Sequence, residues 1–193
     1  MHESLIAYIK SHSNTPLTEA NIKALKDVFI PKKIRKRQYF LEAGEVSKYS
    51  AFVVKGAMRQ YSVDNKGVEH IVGLFIENTW ARERESLITG TPSLYYIDAW
   101  EETDLLMLLI SDSDAMMSIP AFAEMRTTLN DRHHFNLQKR LHDAISLSAE
   151  QRYWDVVKHS PELLKRFPQH IIASYLGITK ETLSRLRGQA MKK

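Results

Sequence analysis

Apolar residues early in the chain recur at helical intervals, which predicts helices over residues 3–10 and 18–29. The second opens at Thr18 and carries Ile22, Leu25, Val28 and Phe29 on one side; Pro31 ends the pattern. From residue 38 to 110 the apolar positions fall instead into short runs. Tyr39–Leu41, Ser50–Lys55, Met58–Val63, Val68–Phe75, Tyr95–Trp100 and Leu105–Ile110 are predicted to be strands. They are punctuated by Glu42-Ala-Gly-Glu45, Gly56 and the hairpin turn Asp64-Asn-Lys-Gly67. Strands of this number and spacing predict an antiparallel sandwich or jelly roll. No repeat of the kind that marks a solenoid or propeller is present.

Beyond residue 110 the period is helical again. Ser111-Asp-Ser-Asp114 caps a short helix reaching Ile119, and Pro120 suits the first turn of a long one running to about Ser146. Along it Phe122, Met125, Leu129, His133, Asn136, Arg140 and Ala144 form a stripe at heptad-like spacing, apolar first and polar later. Such a stripe suits either a helix buried within one protomer or a seam with a second copy, where Asn136 would fix register. The seam is the expectation, because one two-helix DNA reader covers only a half-site and two-fold proteins match palindromes. Shorter helices follow at about Ala149–His159, with Tyr153, Trp154, Val156 and Val157, and at Glu162–Arg166.

The stretch Phe167–Met191 is the most specific. Pro168 suits a helix start and Gly177 a helix end, where the left-handed backbone is cheapest for glycine. Ala173 allows a second helix to cross closely, and Ile172, Leu176, Ile178, Leu183 and Leu186 supply apolar contacts. Thr179 is placed to cap the second helix. At about 100° per residue, Thr182, Leu183 and Leu186 then share one arc, and Lys180, Glu181, Ser184, Arg185 and Gly188 the opposite one. Lys and Arg donate to guanine, Glu accepts from cytosine, and Ser reaches base or phosphate. The expectation is a helix-turn-helix that reads DNA rather than a plain amphipathic hairpin.

Charge agrees with that placement. The chain of 193 residues carries a net +4, but residues 149–193 hold nine Lys/Arg against four Asp/Glu, which leaves residues 1–148 at −1. The run Lys32-Lys-Ile-Arg-Lys-Arg37 has two readings, a solvated surface or a contact with nucleic acid or an acidic partner. There are no cysteines, which excludes disulfides, thiolate zinc sites and cysteine-ligated iron–sulfur clusters. With no apolar run long enough to cross a membrane and no secretory pattern in Met1–Lys10, a cytoplasmic location is expected. The strand region contains only His70, the other histidines show no i, i+4 pair, and no nucleophile elbow, phosphate loop or dinucleotide fingerprint occurs, so neither an enzyme nor a metal or cofactor site is expected.

This order of elements resembles the Crp/Fnr (cyclic-AMP-receptor/FNR) family of bacterial transcription regulators. Glu42-Ala-Gly-Glu45, Val54-Lys-Gly56, Asp64-Asn-Lys-Gly67, Gly90-Thr-Pro92 and above all Leu176-Gly-Ile-Thr-Lys-Glu-Thr-Leu-Ser-Arg-Leu-Arg187 carry the resemblance. It implies an α+β protein of three parts: a cyclic-nucleotide-binding-like jelly roll with its N-terminal helices over 1–118, a dimerisation helix over 119–147, and a winged-helix-like helix-turn-helix domain over 148–193. It also implies a homodimer on palindromic double-stranded DNA, with RNA polymerase as a further contact and an unnamed small-molecule effector. Thr179, Lys180, Glu181, Ser184, Arg185 and Arg187 would be the DNA-contacting set, and Phe122, Met125, Leu129, His133, Asn136 and Arg140 the dimer seam.

The effector cassette departs from the family. Aligned on Gly90-Thr-Pro92, Glu83-Arg84 stands where the family's Gly-Glu would be, and Ser93-Leu94 where its phosphate-gripping arginine and neighbour would be. A buried phosphate without a bidentate cation loses what offsets its desolvation, and residues 77–104 hold seven Asp/Glu against two Arg, so cyclic AMP is not expected to bind. The aromatic set Trp80, Tyr95, Tyr96 and Trp100 has two readings, an apolar effector pocket or barrel core. The competing function is a jelly-roll protein that acts through a protein partner without specific DNA binding.

Overall fold

The computed structural model describes residues 1–190. Two helices open the chain, α1 (His2–Ser11) and α2 (Glu19–Val28). The second begins where Thr18 and Asn21 form a reciprocal capping box, each side chain meeting the other residue's backbone N–H. Eight strands follow: β1 (Ile30–Ile34), β2 (Tyr39–Leu41), β3 (Tyr49–Lys55), β4 (Met58–Val63), β5 (Glu69–Phe75), β6 (Trp80–Ala81), β7 (Tyr96–Ala99) and β8 (Thr103–Leu109). A short helix, α3 (Arg84–Thr89), lies between β6 and β7. The strands make two four-stranded sheets in the orders β1-β8-β3-β6 and β2-β7-β4-β5, with antiparallel pairings throughout.

Turn chemistry sets this topology locally. Between β4 and β5 the Asp64 carboxylate accepts from the backbone N–H groups of Lys66 and Val68, and Gly67 takes φ 79°. At the β3–β4 turn Gly56 has φ 105°, and a Cβ there would stand 2.6 Å from the Glu102 carbonyl oxygen, so no other residue fits. Sequence patterning missed β1, β6 and α3. β1 is an edge strand, paired only with β8 and exposed along most of its length, which is where Pro31 and a lysine pair are tolerated. Within the basic run, Lys33 Nζ lies 3.4 Å from Glu102 and 3.6 Å from Asp104, so part of that run answers local acidic residues.

The remaining helices are α4 (Ser113–Met117), α5 (Pro120–Ser146), α6 (Ala149–His159), α7 (Pro161–Arg166), α8 (Gln169–Leu176) and α9 (Lys180–Ala190). α6 opens on a second capping box, Ser148 with Gln151. Three apolar cores result. One lies between the sheets, around Val53, Met58, Ile97 and Leu105. A second joins the outer face of the first sheet, through Phe52, Trp80, Leu106 and Leu108, to α1, α2 and the start of α5. The third runs from Ala57, Tyr61 and Ile71 of the second sheet into Tyr153, Val156, Phe167, Ile171, Ile172, Leu183 and Leu186 of α6–α9. The expected division at residue 148 is therefore bridged by a shared core. Residues 148–190 contain helices only among those described, so the wing of the expected winged form is not among them, and residues 191–193 of that segment lie outside the described range. No described helix is long and apolar enough to cross a membrane.

Candidate nucleic-acid interface

α8 and α9 meet across Gly177. Pro168 sits one position before α8, as its N-cap, and its carbonyl accepts from the N–H groups of Ile171 and Ile172 at 3.1 Å. Gly177 adopts φ 65°, ψ 37°, its N–H meeting the carbonyls of Ala173 and Ser174, while the Ile178 N–H donates to Ala173 at 3.0 Å. This double closure satisfies the carbonyls left open at the end of α8. The Thr179 hydroxyl accepts from the Thr182 N–H at 3.2 Å and so caps α9.

The two faces of α9 separate as its period requires. Leu183 and Leu186 are buried in the third core beside Ala173, Ile172 and Leu176. Thr179, Lys180, Glu181, Ser184, Arg185 and Arg187 are all exposed. The Glu181 carboxyl is held below its ordinary value by its own backbone N–H and by the Thr179 hydroxyl, so this residue is an acceptor at neutral pH. One helix face thus presents three cations, one carboxylate and hydroxyls on a rigid, apolar-backed support.

That support is fixed to the second sheet. On α8, Ser174 Oγ accepts from the Ile71 N–H at 3.0 Å and donates to the Glu69 carbonyl at 3.1 Å. At the end of α7, Arg166 bridges Glu101 of the β7–β8 turn (2.9 and 2.5 Å) and Glu77 just past β5 (2.9 and 3.4 Å). Burial alone would raise the Glu77 carboxyl, but Arg166 and the Gly56 N–H outweigh it and hold the group below its ordinary value. Neither the ion cluster nor the shared core carries a local sequence signal, because each joins residues tens of positions apart.

The aromatic quartet is dispersed. Trp80 is on the outer face of the first sheet, with its ring 5.4 Å from Phe52 and 6.1 Å from Phe29. Tyr96 stacks on Tyr61 at 5.3 Å, and Trp100 lies 6.2 Å from Phe167 of the helical segment, both at the edge of the third core. Tyr95 lines a separate cleft with Leu137 and Arg140 of α5. The four residues do not enclose one pocket.

The stripe on α5 is also placed differently from the expected seam. Phe122 and Met125 are 2% and 1% exposed inside the second core, Leu129 packs on that core, and Arg140 donates to the carbonyls of Val72 and Tyr175 within the same protomer. His133 and Asn136 are exposed. The apolar side chains open to solvent are on another face: Leu137, Leu141 and Ile145, spaced every four residues, are 50%, 64% and 77% exposed, and Phe135 flanks them. The α5 face that packs on the barrel takes Phe122, Met125, Leu129 and Arg140 of the expected seam and leaves His133 and Asn136 exposed, beside the outward row of Leu137, Leu141 and Ile145.

No family model matches the chain, and no curated protein matches it by sequence. Its fold does match solved structures. FixK2 from Bradyrhizobium japonicum superposes with a TM-score of 0.69 at 19% identity, over 86% of this chain and 85% of that one. A CooA variant from Carboxydothermus hydrogenoformans gives 0.69 at 18% identity, over 93% and 86%. A transcriptional regulator of the Crp/Fnr family from Eubacterium rectale gives 0.65 at 16% identity, over 91% and 85%. In fold and in the order of its elements along nearly the whole chain, this protein is Crp/Fnr-like.

Proposed function

We propose that this chain is a sequence-specific DNA-binding transcription regulator that acts as a homodimer, with its two sheets forming a jelly-roll sensor and α8–α9 a helix-turn-helix reader. The observation that carries the reading is the exposed face of α9. Lys180, Glu181, Ser184 and Arg185 project from a helix whose Leu183 and Leu186 are anchored, in a fold matched by regulators along its length. The second copy docks through the outward stripe Leu137, Leu141 and Ile145 of α5, the exposed apolar row that a symmetric helix pair would cover.

Cyclic AMP is not the effector in this reading. Glu83 is committed to capping α3, accepting from the N–H groups of Glu85 and Ser86 at 3.0 and 2.7 Å. Ser93 Oγ is engaged with the backbone of Tyr95, and Leu94 is exposed, so no cation stands at the position expected to grip a phosphate.

The test is a salt-dependent binding assay against palindrome-containing and bulk DNA. A dimeric complex on the palindrome whose affinity falls steeply with salt supports the proposal, and no preference over bulk DNA overturns it. Within it, Arg185→Ala reduces discrimination at particular bases by roughly 1–3 kcal/mol per lost contact. Uniform weakening on all sequences would reassign Arg185 to the phosphates.

A further inference from the structure

Three arginines converge where the outer face of the first sheet meets α3 and the start of α5, and no carboxylate answers them. Arg82 Nη2 donates to Asn130 Oδ1 at 3.0 Å, Arg84 Nη1 donates to the same oxygen at 3.3 Å, and Arg126 Nη1 donates to Ser113 Oγ. All these partners are neutral, and among the described residues none of the three arginines takes part in an ion pair. A guanidinium has five N–H donors, so most of this donor capacity is unused. Burial, then Arg84 and Arg126, push Arg82 down to about 10, while the nearby Tyr8 hydroxyl acts weakly the other way. Positive charge has been gathered here against its own repulsion.

The same site holds a buried hydroxyl without a hydrogen-bond partner, Ser50 Oγ, and a buried N–H, Trp80 Nε1, that makes no hydrogen bond of ordinary geometry although the Tyr8 hydroxyl lies beside it. Their residues are 9% and 8% exposed, and both line the cavity that Arg82, Arg84 and Arg126 surround. Leaving such a group unsatisfied is unfavourable, and native structures rarely do so without an ion or water to meet it. The cavity measures about 60 Å3, room for a few water-sized groups at roughly 10–15 Å3 each. Its remaining walls are apolar, with Leu108, Phe122, Met125 and Leu129 at the back and exposed Ile88 at the mouth.

We propose that this cavity is a binding site for a small oxyanion, phosphate or short-chain carboxylate in size, held by Arg82, Arg84 and Arg126 with Trp80 Nε1 and Ser50 Oγ as further donors. The site faces α5 on the outer side of the sheet, away from the space between the sheets, and it stands whether or not α9 reads DNA. A phosphoryl or carboxylate oxygen accepts bidentate donation from guanidinium and offsets the mutual repulsion of the three cations. The apolar back wall admits a short hydrocarbon tail on a carboxylate head.

The experiment titrates the full chain with sodium phosphate and, separately, with sodium butyrate at constant ionic strength. It is followed by calorimetry and by the thermal midpoint, and repeated with Arg126→Gln and with Arg84→Gln, whose side chain lies at the exposed mouth. Saturable binding of either probe, weakened about tenfold or more in both variants, supports the proposal. Phosphate alone binding identifies an inorganic or phosphoryl anion, and tighter butyrate binding identifies an organic acid. Without added anion, Arg126→Gln is expected to leave the midpoint unchanged or raise it, since it relieves like-charge repulsion. No saturable binding of either probe, or equal binding by wild type and both variants, overturns the site, because in that case water alone meets the unpartnered donors.

Discussion

Arg166→Met tests whether the helical segment is held to the barrel by charge as well as by apolar packing. The wild-type guanidinium makes four hydrogen bonds to two carboxylates, with about a quarter of its side chain exposed and about a third of each glutamate. Hydrogen bonds to charged groups contribute about 1.5–3 kcal/mol each when well buried, and solvent screening at this exposure reduces the sum sharply. Methionine keeps much of the apolar contact but leaves Glu77 and Glu101 without their cation. The expected loss at neutral pH is therefore about 2–3 kcal/mol, read as a lower urea midpoint with an unchanged slope. Hydrogen exchange should localise it to α8 and β5, the elements joined by Ser174. The sign with pH follows from the direction of the Glu77 shift. Its folded pKa is depressed, so the wild-type contribution is fully present above the ordinary carboxylate pKa near 4.5 and is lost as pH falls through the lower folded value. In the variant Arg166 no longer opposes burial and only backbone N–H groups such as that of Gly56 do, so the Glu77 pKa rises from its wild-type position and protonation at low pH relieves the penalty. The stability gap between the two proteins is thus expected to close on acidification below about pH 4.5. A gap independent of pH, or no loss at all, would refute the assignment of this joint to ion pairing.

Leu141→Glu is expected to convert the proposed dimer to monomer by sedimentation: a two-fold seam there would lose two buried leucines at about 1.5–3 kcal/mol each, more than a hundredfold in dimer affinity. A monomeric wild type, or a variant that still dimerises, would remove the outward α5 stripe from the interface. Gly177→Ala should lower stability by about 1–2 kcal/mol through the left-handed backbone alone, since a Cβ there meets no atom within 4 Å; urea unfolding checks this, and a much larger loss would mean a steric clash. Glu124 accepts hydrogen bonds from Thr15, Ser13 and the backbone of residues 14 and 15, which hold it down to about 2. The loop before α2 should therefore stay closed to protease at moderately acid pH in wild type and open in Glu124→Gln, and equal cleavage of the two would refute that anchor.

Local chemistry made much of the chain legible. The faces of α9, its Thr179 cap, the Gly177 closure and the Asp64–Gly67 turn follow from helix period and from side chains that reach their own or nearby backbone groups, and such interactions span only a few residues. Six of the strands were visible because apolar runs alternate with turns. β1 was hidden because an edge strand can carry Pro31 and two lysines, and β6 because two residues hold too little pattern.

By itself, then, the sequence determined most of the helices, six of the eight described strands and which side of the last helix is polar. The tertiary structure decided which way each amphipathic surface turns. On α5, Phe122 and Met125 belong to the core that Trp80 and Phe52 complete from the barrel, and Leu137, Leu141 and Ile145 are left outside. Trp80, Tyr95, Tyr96 and Trp100 resemble one group in sequence yet fall on different surfaces, because they belong to different sheets and to turns whose positions pairing alone fixes. The arginine cavity depends most on the fold, since β6, α3 and α5 bring Arg82, Arg84 and Arg126 together around Asn130 and Ser113. Period and capping act over one or two turns of chain, whereas these placements depend on contacts between separate elements, 28 positions apart for Trp80 and Phe52 and 48 for Arg82 and Asn130, which only a closed core can specify.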